Sequence, residues 1–179
     1  MEYTFKNSAA EKACTVTVND MELILHTAGA SPESVPYSRI QCIRLFRRKL
    51  DSYYLYIYPR DKQPLVISNH YWLSATESED RSRQYVTFVR VLHMYLKNKN
   101  DTEFMTGFAA SSLMLRATLL LLTSIGVSFI LRAMLPGLIN TWVLAAALLA
   151  FLTLLLFILE RNRLPQHYKA SDIPLDYLP

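Results

Sequence analysis

The stretch LMLRATLLLLTSIGVSFILRAML, residues 113–135, followed after Pro136-Gly137 by the chargeless run TWVLAAALLAFLTLLLFIL, residues 141–159, decides how the chain reads. As a helix the first run would extend roughly 34 Å, enough to cross a bilayer, and it holds only Arg116 and Arg132 as charges. The second crossing starts at Leu138 if that residue begins the run. Pro136 removes a backbone donor and breaks the helix between them. A hairpin buried in a large water-soluble core is the alternative, but the 112 residues before it are too few to cover two helices that are apolar all round. The expectation is a two-helix transmembrane hairpin over 113–160, with helices 113–135 and 138–159.

Charge then sets the orientation. Arg161, Arg163 and Lys169 follow the second run, the turn at 136–140 has no Lys or Arg, and most basic residues precede the hairpin. Both termini are expected on the cytosolic side of a cell inner membrane, with the hairpin as targeting signal and anchor. No apolar segment before Leu23 has the form of a cleaved signal peptide. The net charge of +4 fits positive-inside topology and argues against nucleic acid as a partner. Cys14 and Cys42 lack metal or redox spacing and read as reduced thiols.

Residues 1–100 read as one small domain. Tyr3 and Phe5 alternate with polar neighbours, Cys14-Thr-Val-Thr-Val18 alternates before Asn19-Asp20, and Met21-Glu-Leu-Ile-Leu25 completes a hairpin. Val35-Pro-Tyr-Ser-Arg-Ile40 leads into a strand to about Phe46. Tyr53-Tyr-Leu-Tyr-Ile-Tyr58 and Leu65-Val-Ile67 flank a turn at Pro59-Arg60-Asp61-Lys62, with tyrosine on both faces. Ser68-Asn-His-Tyr-Trp-Leu73 reads as leaving the sheet. Glu77, Glu79 and Asp80 then precede a helix whose Tyr85, Phe88, Val89, Leu92, Tyr95 and Leu96 share one face.

Strands followed by one amphipathic helix give an α+β order. On Val35 to Ile40, Tyr53 to Tyr58, Pro64 to Ser68 and Tyr85 to Leu96, residues 1–99 resemble the pleckstrin-homology-like (PH-like) superfold, especially bacterial membrane-anchored PH-like domain proteins. The resemblance implies a bent antiparallel sheet closed by one C-terminal helix, ahead of the hairpin, and a module that docks ligands at open loops. In many such proteins the membrane helices precede the domain; here they follow it. Residues 101–112 read as a linker whose Phe104, Met105 and Phe108 rest at lipid headgroups, or as a solvated linker with incidental aromatics. Residues 161–179 form a tail in which Tyr168, Ile173 and Tyr177 are too apolar for inert chain, and are expected on the chain's own domain or on a partner.

No catalytic, cofactor or metal constellation is legible, since His26, His70, His93 and His167 are scattered and no Gly-rich phosphate loop occurs. The candidate binding residues are Arg39, Arg44, Arg47, Arg48 and Lys49, five cations in eleven residues without an acid. They suit anionic lipid or an acidic protein face, or else a solvated edge kept basic to block strand pairing. Small residues such as Ser124, Gly126 and Ser128 would let membrane helices pack closely, so a homo-oligomer or larger membrane complex is expected. The function expected is a non-catalytic, membrane-anchored docking module, an accessory or scaffold subunit of a transport or assembly complex. The alternative is a membrane-bound enzyme whose site converges only in three dimensions.

Overall fold

Alternation in the first third of the chain sends every second side chain inward. Cys14, Val16 and Val18 are buried on β2 (Cys14–Val18), and Leu23 and Leu25 on β3 (Glu22–Thr27). With β1 (Glu2–Phe5) and β4 (Glu33–Pro36) these strands form an antiparallel meander in the order β1-β2-β3-β4. Asn19 makes the β2–β3 turn, its Oδ1 accepting from the backbone N–H groups of Met21 at 2.9 Å and Glu22 at 2.8 Å. The computed structural model describes residues 1–49, 51–97, 102–107, 118–120, 122–127, 149–150, 153 and 165–179.

A short 3-10 turn at Tyr37–Arg39 delivers the chain to β5 (Ile40–Lys49). β5 pairs antiparallel with β6 (Ser52–Pro59), which pairs with β7 (Leu65–Ser68). A separate two-stranded ribbon, β8 (His70–Trp72) with β9 (Ser78–Asp80), precedes α1 (Ser82–Leu96). The chain thus leaves the β5-β6-β7 sheet after Ser68, as read, and residues 70–72 enter a separate ribbon. Asp80 is a strand end whose carboxylate accepts the Ser82 N–H at 3.0 Å, and Glu79 pairs with Arg81 at 2.8 Å, so local bonds account for these two acids, and the first turn of α1 holds no acid for the helix dipole to favour.

α1 buries Tyr85, Phe88, Val89, Leu92 and Leu96, the apolar set at helical spacing, together with His93. Tyr3 stacks on Phe88 at 5.2 Å and meets Tyr85 edge-on at 6.2 Å. The β1 and β7 edges are stitched by side chains: Tyr3 Oη donates to the Ser68 carbonyl at 2.7 Å and Asn7 Nδ2 to the Val66 carbonyl at 2.9 Å. These two edge carbonyls, that of Ser68 in a buried bond and that of Val66 in a part-buried one, are thereby satisfied without another strand. Tyr85 is fully buried, yet its hydroxyl has no hydrogen-bond partner among the described residues. Tyr85→Phe removes that unpaired group and is expected to raise stability by about 1 kcal/mol in chemical denaturation; a loss of similar size would show that the hydroxyl is satisfied in solution.

Two elements come from segments not expected to join the sheet. β10 (Glu103–Thr106) runs parallel to β5 with Phe104 opposite Ile43, and β11 (Gln166–His167) adds antiparallel to β10. The five-stranded order is β11-β10-β5-β6-β7. Phe104 is buried in the core and does not sit at a headgroup layer; Phe108 lies outside the described residues. Residues 1–107 and 166–179 make one compact unit and residues 108–165 a second. In the second unit Ser124 is buried and its hydroxyl donates back to the Leu120 carbonyl at 2.8 Å, while Leu119, Leu122, Ile125 and Val127 are exposed.

The expected architecture is corrected in two respects. In place of one bent antiparallel sheet closed by a helix, the described residues form three sheets, one of them mixed by the parallel strand β10 and extended by the tail. Nor is a two-helix transmembrane hairpin seen: among the described residues no helix is long and apolar enough to cross a membrane. The reading over 113–135 and 138–159 rests on apolar composition, which does not fix where a helix begins or ends; of these segments 118–120, 122–127, 149–150 and 153 are described, all as helix. The rest of those two segments lies outside the described residues. The multi-pass inner-membrane placement, with both termini cytoplasmic, rested on that hairpin and falls with it.

Candidate functional site

The five sequence-predicted cations do not form one patch. Arg39 precedes β5, where its carbonyl accepts the Arg60 N–H at 2.9 Å. Arg48 stands eight residues beyond Ile40, or about 26 Å along a strand. Arg47 pairs in register with Tyr53 and holds its guanidinium 5.4 Å from that ring, while Arg48 is the exposed extra residue of an irregularity between Arg47 and Lys49. Lys49 pairs with Ser52 at the strand end. Arg44 sits alone at mid-strand.

Around Arg44 the register assembles a continuous outer face. Cys42, Arg44 and Phe46 of β5 stand opposite Tyr58, Tyr56 and Tyr54 of β6, and Glu103 and Met105 of β10 stand opposite Cys42 and Arg44. The period of two that buries Tyr53, Leu55 and Ile57 turns the three tyrosines outward. Their rings follow one another at 6.4 Å, and Phe46 meets Tyr56 edge-on at 6.4 Å. Glu103 is the one acid on this face among the described residues.

The Arg44 guanidinium lies 6.0 Å from the Tyr58 ring centroid and Nη2 donates to Met105 Sδ at 3.3 Å. Its Nε and Nη1 are buried and have no hydrogen-bond acceptor among the described residues. Cys42 beside it offers only a weak acceptor. Burial pushes the Cys42 thiol up, with Arg44 pulling the other way, so the thiol stays protonated and is a poor nucleophile. Burial also raises Tyr56 and Tyr58, helped at Tyr56 by its tyrosine neighbours and opposed at Tyr58 by Arg44. The face thus presents hydroxyl donors and a cation.

The candidate tail residues lie on the chain's own first unit. Tyr168 Oη is 2.8 Å from His93 Nε2, and Ile173 and Tyr177 are half-buried against the core beside the buried Leu178. His26 and His167 are exposed, His70 Nε2 faces the Asp51 carbonyl at 2.8 Å, and no two of the four histidines converge. Among the described residues no group of His, Cys, Asp and Glu is placed to hold a metal ion. Sequence reasoning missed the Arg44-centred face because the strand pairing that aligns the tyrosines with Arg44 selects one cation of the five. It also missed Asn69, which is buried and bonds to three separate segments. The chain matches no family model, no curated protein and no solved structure.

Proposed function

We propose that the chain is a non-catalytic docking module, an accessory or scaffold subunit, which holds an extended acidic segment of a partner protein across the Arg44 and tyrosine face. The observation carrying this reading is that two buried Arg44 nitrogens, Nε and Nη1, have no acceptor among the described residues. An unpaired buried cation costs several kcal/mol, and a carboxylate can take two guanidinium N–H bonds at once. Tyrosine is enriched where interfaces bury apolar area yet need hydroxyl donors. Charge complementarity selects an acidic occupant, since this face carries Arg44, with Arg48 acting on Tyr56 from the strand end, against the single acid Glu103 among the described residues.

The test uses the full chain with polyglutamate as probe and polylysine as control. Arg44→Met is expected to weaken polyglutamate binding at least tenfold while making the free chain more stable, because it removes both the partner's anchor and the uncompensated charge. Binding should also weaken as salt rises. Unchanged binding by Arg44→Met, or equal affinity for polylysine, would overturn the reading.

A further inference from the structure

The C-terminal tail is held on the first unit through a buried histidine. His93 is 1% exposed on α1, with Nδ1 2.7 Å from the Val89 carbonyl and Nε2 2.8 Å from Tyr168 Oη. One tautomer satisfies both contacts: Nδ1–H donates to the carbonyl, and the Nε2 lone pair accepts the tyrosine hydroxyl. The ring lies between Phe104 at 5.2 Å and Tyr168 at 5.8 Å. Tyr168 is the titratable group facing it from the tail; Tyr168 acts in turn on Tyr85 of α1, Cys42 of β5 acts on Tyr168, and among the described residues no carboxylate or cation acts on the imidazole. Nothing at this site therefore compensates a positive ring.

Elsewhere the tail is held by one short strand pairing, by the half-buried Ile173 and Tyr177 packed on the core, and by its far end. Gln166 and His167 pair with only Thr106 and Met105, the Tyr168 N–H reaches the Phe104 carbonyl at 3.1 Å, and Leu178 is buried at the far end. Gly107 donates to the Leu45 carbonyl and Thr106 pairs with Gln166, so the chain leaves and re-enters this unit on neighbouring strands. The tail is one of two tethers for residues 108–165.

We propose that residues 166–179 form a strap latched by His93 and Tyr168, which opens as a unit when His93 Nε2 takes a proton from solvent, leaving the rest of the first unit folded and residues 108–165 tethered at one end only. The proton fills the lone pair that accepts the Tyr168 hydroxyl. The imidazolium keeps its bond to Val89, Tyr168 loses its acceptor, and the cation stands between two aromatic rings until the strap leaves and water reaches it. Burial, which lowers the His93 pKa to about 4, expresses the same imbalance. This inference is independent of the docking face.

Amide hydrogen exchange read by mass spectrometry on the full chain tests it, with rates corrected for intrinsic pH dependence. Protection of 168–178 is expected to fall at least tenfold between pH 6.5 and 4.5, while protection of 14–27 stays unchanged. His93→Gln, with an acceptor that does not titrate, should make the tail's protection independent of pH. Tyr168→Phe should lower it already at pH 7. Loss of protection in 14–27 together with the tail, or a pH-dependent drop that persists in His93→Gln, would overturn the proposal. Should His93→Gln fail to fold, unchanged tail protection in Tyr168→Phe at pH 7 would do the same.

Discussion

Replacing Asn69 by alanine is expected to lower the stability of the chain by about 3 kcal/mol, among the largest effects of any single polar residue here. Asn69 is 1% exposed and its amide serves three segments. Nδ2 donates to the Asp51 carbonyl at 3.1 Å and to Ser82 Oγ at 3.0 Å, while Oδ1 accepts the Tyr53 N–H at 3.0 Å. The β5–β6 turn, the start of β6 and the start of α1 thus meet at one side chain, and the Arg81 N–H adds a bond to the Asn69 carbonyl at 2.8 Å. Alanine leaves the buried Tyr53 N–H without its acceptor, at a cost of about 1–3 kcal/mol, and removes the donor bonds to Ser82 Oγ and to the Asp51 carbonyl, the latter keeping His70 Nε2 at 2.8 Å. Denaturant midpoints at unchanged m-value are the measure. A change below about 1 kcal/mol would show that the neighbours find other partners.

Nothing in Ser68-Asn-His announces this role, since the three polar residues look like a loop and the bonds reach 11 to 18 residues away in sequence. What periodicity does reveal is local. The alternation of Cys14 to Val18 and Tyr53 to Tyr58, and the helical spacing of Tyr85 to Leu96, correspond to β2, β6 and α1 because each pattern depends only on which side of its own element faces the core. Pairing between remote segments leaves no such mark. Glu103-Phe-Met-Thr106 is short and joins β5 in parallel some 61 residues away, so a linker reading was the natural one.

The basic stretch shows the converse limit. Five neighbouring cations look like one site, but an extended strand carries Arg48 about 26 Å beyond Ile40 and turns alternate side chains to opposite faces, leaving Arg44 among the tyrosines and Arg39 at the other end. For residues 113–159 hydropathy measured composition, and composition does not state where helices begin and end. The described pieces do not make a helix able to cross a membrane. In the tail, three prolines and scattered apolar residues implied packing, but His93 could not be matched with Tyr168 across 75 residues.

Acidification from pH 6.5 to about 4 is expected to remove about 3 kcal/mol of stability through His93 alone. The sign follows from proton counting. Burial disfavours the imidazolium, so the folded-state pKa lies near 4 against an ordinary 6.5, and between those values the unfolded chain binds the proton that the folded chain refuses. Stability from this group is fully present above pH 6.5, declines through the window and stops changing once the folded form also protonates. Subtracting the pH–stability curve of His93→Gln from that of the parent chain isolates this contribution from every other titrating group. A difference under 1 kcal/mol, or one that grows toward neutral pH, would contradict a buried neutral histidine. The depth of the curve also measures the strap: if residues 166–179 leave before the domain unfolds, water reaches the imidazolium and the loss levels off at the free energy that holds the tail down. A plateau shallower than 3 kcal/mol, together with early loss of tail protection, would give that free energy directly.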